Sequence, residues 1–338
     1  MCLRTPLSKL ALASAGLVLL LGMGAGCRQN PYPSLEELRA TAGRQADTPE
    51  AWIVLGDAYL KQERFNEAFM AYKRAATLDP KSLPALLGLA EVSRRLSDPD
   101  SGLEYVRQAL ERKPQDPAAI GARGRLRLAK GDAAGALPDL KYALKASPEQ
   151  FETQLSLISA YTVQKQPQLA LQQAQAALQL FHDDARMHYV YATLLEADDQ
   201  AAATEQEYRL AMHYDPNLVR AKFRLATLLV KLRQKLPEAR TLALEVSNQD
   251  RGDGTAQGLA SWALYLQGKR EAALQELQGV WQENPDNVWV LLRLHQAGRE
   301  MGNKQVEETA ANFLRQILGP VAEKMSKEQA APAPPPQR

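Results

Sequence analysis

Apolar residues between Trp52 and Ala75 recur at helical spacing and predict two helices packed face to face. Trp52, Leu55 and Tyr59 form a stripe on the first helix, and Tyr72 and Ala75 form one on the second. Gly56 and Ala68 are small, which lets the two helices approach closely, and Pro80 stops the second because proline cannot extend a helix. The pattern then returns: Pro80, Pro114, Pro148 and Pro216 fall at multiples of 34 residues, with His182 where a proline is missing. Ala68, Gly102, Ala136 and Ala170 keep the same step, as do Ala75, Ala109, Ala143, Ala177 and Ala211. Reading outward from these positions gives repeats at 49–82, 83–116, 117–150, 151–184 and 185–218. A sixth, at 219–253, carries one extra residue near Lys235 to Glu238, with Pro237 starting its second helix. A seventh spans 254–287, and an eighth, 288–318, keeps Leu291, Leu294 and Gly302 while its second helix loses the pattern.

The order and spacing of Trp52, Leu55, Gly56, Tyr59, Ala68, Tyr72, Ala75 and Pro80 resemble the tetratricopeptide repeat signature. The resemblance implies an all-α fold, a right-handed superhelical solenoid of antiparallel helix pairs with about eight repeats. One hairpin cannot bury both of its apolar faces, so each needs neighbours. Ser34 and Glu37 form a capping-box pattern that opens a helix over 34–48, placed to cover the exposed end of the first repeat.

Outside the repeats, residues 1–26 read as a signal peptide, with Arg4 and Lys9 ahead of the apolar run Leu10 to Leu21. The following Gly24-Ala25-Gly26-Cys27 resembles a bacterial lipoprotein processing site, with Gly24 where that family usually has an aliphatic residue. The resemblance implies that Cys27 is lipidated and becomes the new N-terminus. An uncleaved signal anchor and a soluble periplasmic product are the alternatives. Residues 27–33 are a short tether kept extended by Pro31 and Pro33, and 319–338 form a proline- and alanine-rich tail with the composition of a disordered segment.

Composition adds little beyond this. The chain has 338 residues, 20 glycines, 20 prolines and a net charge of +2, with no basic excess that would point to nucleic acid. Removing the leader takes Arg4 and Lys9 with it and leaves the balance at zero, which argues against a partner chosen by overall charge. The two cysteines are Cys2, within the leader, and Cys27, so the processed chain has no disulfide mate for its one thiol.

No catalytic, metal or cofactor constellation is expected. His182, His188, His213 and His295 have no spacing that suits zinc, and neither a phosphate-cradling glycine loop nor a Gly-x-Ser-x-Gly elbow is present. Function is therefore expected on the concave face, which in tetratricopeptide solenoids is lined by the first helices. The resemblance puts Asp57, Lys61, Glu91, Arg94, Arg95 and Arg125 there in the first half, a face of mixed charge. In the second half it puts Arg186, Tyr189, Arg220, Phe223, Trp262, Tyr265 and Trp289 there, residue types that dominate binding energy at interfaces. The alternative is that some of these rings pack between neighbouring helices. Asp57 and Glu91 stand where the carboxylate clamp of some chaperone-binding members needs basic and amide groups, so that ligand is not expected. Arg186 and Arg220, one repeat apart, offer a place for an acidic group.

The leading expectation is a non-enzymatic, lipid-anchored scaffold facing the periplasm of a bacterial envelope. It would bind protein or peptide partners, without metal or nucleic acid, during pilus or secretion-type assembly. Arg28 is not the aspartate that retains many proteobacterial lipoproteins at the inner membrane, so the outer membrane is the expected address. An adaptor or chaperone delivering substrates to a periplasmic protease or cell-wall enzyme is the second reading. An enzyme is the third, with little sequence left over for a catalytic domain.

Overall fold

The repeating punctuation of the sequence cuts the chain into short helices, many of them begun by a side-chain cap or a proline. The computed structural model describes residues 33–249, 252 and 254–319. The leader, Cys27 and the tail from residue 320 lie outside the described residues. Seventeen helices and no strands occur among those described. After α1 (Leu35–Arg44) come eight hairpins: α2 (Pro49–Lys61) with α3 (Phe65–Leu78), α4 (Leu83–Arg95) with α5 (Pro99–Arg112), α6 (Pro117–Ala129) with α7 (Ala133–Ala146), and α8 (Phe151–Val163) with α9 (Pro167–Leu178). The second four are α10 (Ala185–Ala197) with α11 (Ala201–Tyr214), α12 (Val219–Lys231) with α13 (Leu236–Gln249), α14 (Thr255–Leu266) with α15 (Arg270–Glu283), and α16 (Val288–Met301) with α17 (Lys304–Leu318). Every helix packs on the next in sequence, which makes the chain an all-α solenoid.

Local chemistry accounts for the helix ends. Ser34 Oγ accepts from the Glu37 amide at 3.3 Å while Glu37 Oε2 accepts from the Ser34 amide at 2.7 Å, so both arms of a capping box are present on α1. Ser82, Asp98, Asp116, Asp132, Asn287 and Asn303 cap other helices through their side chains, and Pro49, Pro99, Pro117 and Pro167 occupy first-turn positions where no amide donor is needed. The second helix of the eighth hairpin, whose pattern fades in the sequence, is formed from Lys304 to Leu318 and buries Ala310 and Leu314.

The periodic small residues sit where helices come closest. Ala68, Ala75, Ala109, Ala136, Ala143, Ala170, Ala177 and Ala211 are all 0% exposed. The Tyr72 ring fills the space between two first helices: a Cβ added at Gly56 would lie 2.8 Å from it, and one at Gly88 closer still. α1 closes this end, with Ala42 buried and Leu35 and Leu38 packed against the same cluster, and Trp52 Nε1 donates to the Ala46 carbonyl at 2.9 Å across the α1–α2 turn.

Within each hairpin the turn is built the same way, although its residues differ. The first turn residue to adopt a left-handed conformation is Glu63, Ser97, Gly131, Lys165, Asp199, Arg233, Gly268 or Gly302, with φ between 52° and 91°, and the sixth turn adds Lys235 at 46°. The amide that follows reaches back five positions in the manner of a Schellman cap, as from Arg64 to the Tyr59 carbonyl at 3.0 Å and from Asp98 to that of Ser93 at 2.9 Å. An L-residue at such a φ costs roughly 1–2 kcal/mol, of which glycine recovers part after its own entropy cost. Glu63, Ser97 and Lys165 are exposed at this position. Replacing each by glycine is expected to stabilise its hairpin by about 0.5–1 kcal/mol, seen as a higher thermal midpoint for the triple variant. An unchanged or lower midpoint would contradict the strain argument.

Candidate partner-binding groove

The helices that line the inside of the solenoid can be identified from how neighbours meet. First helices touch first helices directly in the pairs α2–α4, α4–α6, α6–α8, α12–α14 and α14–α16, and no successive second helices pack comparably. Where second helices do meet, long side chains bridge them: Arg209 of α11 reaches Glu238 of α13 at 2.7 Å, and Arg240 of α13 reaches Glu276 of α15 at 2.8 Å. The tighter side is the inner one, so the first helices form the concave face. Backbone approach between successive first helices is loosest around α10, where side chains span the gap: Arg186 lies 3.8 Å from Glu152 of α8, and Arg224 of α12 lies 3.7 Å from Glu196.

In the first half this face carries a shared-charge network. Glu91 of α4 receives Arg94 at 2.6 Å and Arg95 at 3.0 Å from its own helix, and Arg125 of α6 at 3.7 Å. Arg125 also donates to Thr153 Oγ1 of α8 at 3.1 Å, so one side chain ties three successive first helices. Burial pushes the Glu91 carboxyl up, but the bonds and charge of Arg94, with Arg125 and Arg95, outweigh it and hold the group below the usual carboxylate range. Burial pushes the Arg125 guanidinium down, with Glu91 restoring part of its charge. Asp57 accepts from the Tyr72 hydroxyl at 2.5 Å; burial raises its carboxyl, against the opposing effects of that bond and of Lys61.

The second half differs in how its cations and rings are held. Arg186 is exposed but already engaged: it donates to Asp184 at 2.9 Å, lies 3.8 Å from Glu152 and stacks over the Phe151 ring at 4.0 Å. Arg220 is exposed, with no ion pair among the described residues. Tyr189 and Phe223 are half-buried against the C-terminal core, and Tyr189 lies 6.0 Å from the ring of Tyr208. Trp289 is half-buried as well.

Trp262 and Tyr265 do not present open faces to the groove as the sequence suggested. They are 4% and 2% exposed, stack on each other at 4.6 Å, and Tyr265 donates to Glu300 Oε2 of α16 at 2.8 Å. The reason is the close approach of α14 and α16: a Cβ at Gly258 would meet Val290 at 2.8 Å and Trp289 at 3.2 Å. Arg293, a residue the repeat pattern did not single out, completes the closure. Its guanidinium carbon is 5.1 Å from the ring centres of both Trp262 and Trp289. The sequence did hold a signal for it, since no acidic residue stands three or four positions away on either side of Arg293.

Charge is also distributed less evenly than the total suggests. α12 carries Arg220, Lys222, Arg224 and Lys231 and no acidic residue. His188 is spoken for, with Nδ1 at 2.6 Å from Glu207 and Nε2 at 2.9 Å from the His182 carbonyl.

Models of the tetratricopeptide repeat match residues 34–83, 59–126 and 122–185. Among solved structures, the chain is similar to Pseudomonas aeruginosa pilF, with 21% identity, 62% of this chain and 95% of that chain covered, and a TM-score of 0.52. It is also similar to a chain of the APC/C hetero-tetramer Cut9-Hcn1, with 10% identity, 88% of this chain and 58% of that chain covered, and a TM-score of 0.58. At these identities the likeness is one of fold.

Proposed function

Because the chain is a tetratricopeptide repeat protein, a scaffold for contacts between proteins, we propose that it works as a lipid-anchored scaffold in bacterial envelope assembly of the pilus or secretion type. Partner proteins lie along the concave face, and Cys27 tethers the solenoid to the membrane so that the face is presented to the periplasm. The observation that carries this reading is the inner face itself. It is lined by first helices throughout, and on α10 and α12 it carries the exposed Arg220 and the half-buried Tyr189 and Phe223. Cations and aromatic rings on one inner face suit a polypeptide laid across successive helices. The anchor is supported by Cys27, the one cysteine beyond the apolar leader.

Two measurements in the native host test the two halves of the proposal. Mass spectrometry of the mature N-terminus is expected to find Cys27 carrying acyl chains; an unmodified Cys27 would remove the anchor. A photo-crosslinker at Phe223 is expected to trap an envelope assembly component, with the yield falling severalfold in Arg220→Ala. Trapping of a protease together with its substrate would replace the scaffold with an adaptor.

A further inference from the structure

We propose that Arg293 is the seat for an acidic side chain, aspartate or glutamate, of the polypeptide that lies in the groove. The inference rests on the reading of the concave face as a partner surface and specifies the chemistry of what binds there.

Other arginines engaged within the first helices face a carboxylate of their own chain. Arg94, Arg95 and Arg125 share Glu91, Arg123 and Arg127 share Asp139, and Arg224 lies 3.7 Å from Glu196. Arg293 is half-buried and has no ion pair among the described residues. Its Nη1 donates to Gln296 Oε1 at 2.8 Å, while its Nε is buried without a partner. Glu300 would be the natural counter-charge, but its two oxygens accept from the Tyr265 hydroxyl and from Gln296 Nε2, each at 2.8 Å. Burial pushes the Arg293 guanidinium down and Glu300 offsets only part of that. The free protein therefore holds a cation in partly desolvated surroundings without the anion that would compensate it.

The surroundings indicate what kind of anion fits. Two indole rings lie beside the guanidinium; Trp262 is already covered, and the half-buried Trp289 offers an apolar wall that matches the methylene groups of a Glu or Asp side chain. A small inorganic anion would leave that wall uncovered. A carboxylate meets the guanidinium in two parallel hydrogen bonds, the geometry the arginine fork favours. Arg220, exposed on basic α12 of the same inner face, extends the complementarity to an acidic segment.

The test uses the full-length protein in detergent and an array of acetylated, amidated 12-residue peptides, each made with Glu and with its isosteric Gln counterpart. Blocked ends exclude terminal carboxylates. The wild type is expected to prefer Glu peptides by roughly tenfold, the equivalent of about 1.4 kcal/mol, with tryptophan emission changing as they bind. Arg293→Gln is expected to lose the preference while keeping its helical circular dichroism. Where that variant does not fold, Arg293→Lys, which keeps the charge but not the fork, is read instead and is expected to retain only part of the preference. Peptides bound without discriminating Glu from Gln, or a preference that survives Arg293→Gln, would overturn the seat while leaving the groove reading intact. Binding that requires a free terminal carboxylate would overturn it in favour of chain-end recognition. A face that binds no peptide, blocked or free, would overturn both.

Discussion

Tyr72→Ala is expected to destabilise the N-terminal end of the solenoid by about 3–5 kcal/mol, the usual cost of deleting a large buried ring. Tyr72 is 1% exposed and fills space that Gly56 on α2 and Gly88 on α4 leave for it. The two glycines adjoining the ring have no side chain with which to fill the gap. The change also strips Asp57 of the hydroxyl that donates to it at 2.5 Å. A solenoid is held by neighbour-to-neighbour contacts, and the buried apolar residues here form separate clusters. The loss is therefore expected to be local. Amide exchange should accelerate in α1 to α4 while α12 to α17 keep their protection. Uniform acceleration along the whole chain would show instead that the array unfolds as one unit.

Glu91→Gln is the second large effect. It leaves Arg94, Arg95 and Arg125 around a neutral amide, and Arg125 is the side chain that links α4, α6 and α8. Removing one partner of a buried ion pair costs on the order of 3–5 kcal/mol; because the Glu91 side chain is 17% exposed, about 2–3 kcal/mol is expected here. The same group sets a pH dependence. Its folded pKa lies below the ordinary value, so the stability it contributes is fully present above the unfolded carboxylate pKa and is lost as pH falls through the folded one. Asp57 works in the opposite direction: burial raises its pKa, so its protonation on acidification relieves a cost. Denaturant unfolding between neutral and acid pH separates the two. Wild type is expected to lose more stability on acidification than Glu91→Gln, and parallel curves would remove Glu91 from the account.

Much of the architecture was legible because its causes are local or strictly periodic. A position where two helices nearly touch admits only a small side chain, so Ala75, Ala109, Ala143, Ala177 and Ala211 announce the repeat in any reading of the chain, and all are fully buried. The helix start at Ser34 was legible too, because a cap needs only its own side chain and the amides that follow it. The turn geometry was not, because Glu63, Ser97, Lys165 and Gly131 share a backbone angle without sharing a side chain.

The sequence by itself determined that helices pair and stack, because spacing along a helix fixes which face a residue occupies, while the inner place of the first helices came from the resemblance and is carried by their closer mutual packing. Whether a residue on that face meets solvent or a neighbour depends on how closely the next helix approaches, and only the tertiary structure decided that. Gly258 brings α16 against α14, which buries Trp262 and Tyr265, while α10 packs less closely on its neighbours and Tyr189 is half-buried. The same packing sets Glu152 of α8 3.8 Å from Arg186 and leaves Arg293 without such a partner, because ion pairs across a solenoid are set by distances between helices rather than by positions along one.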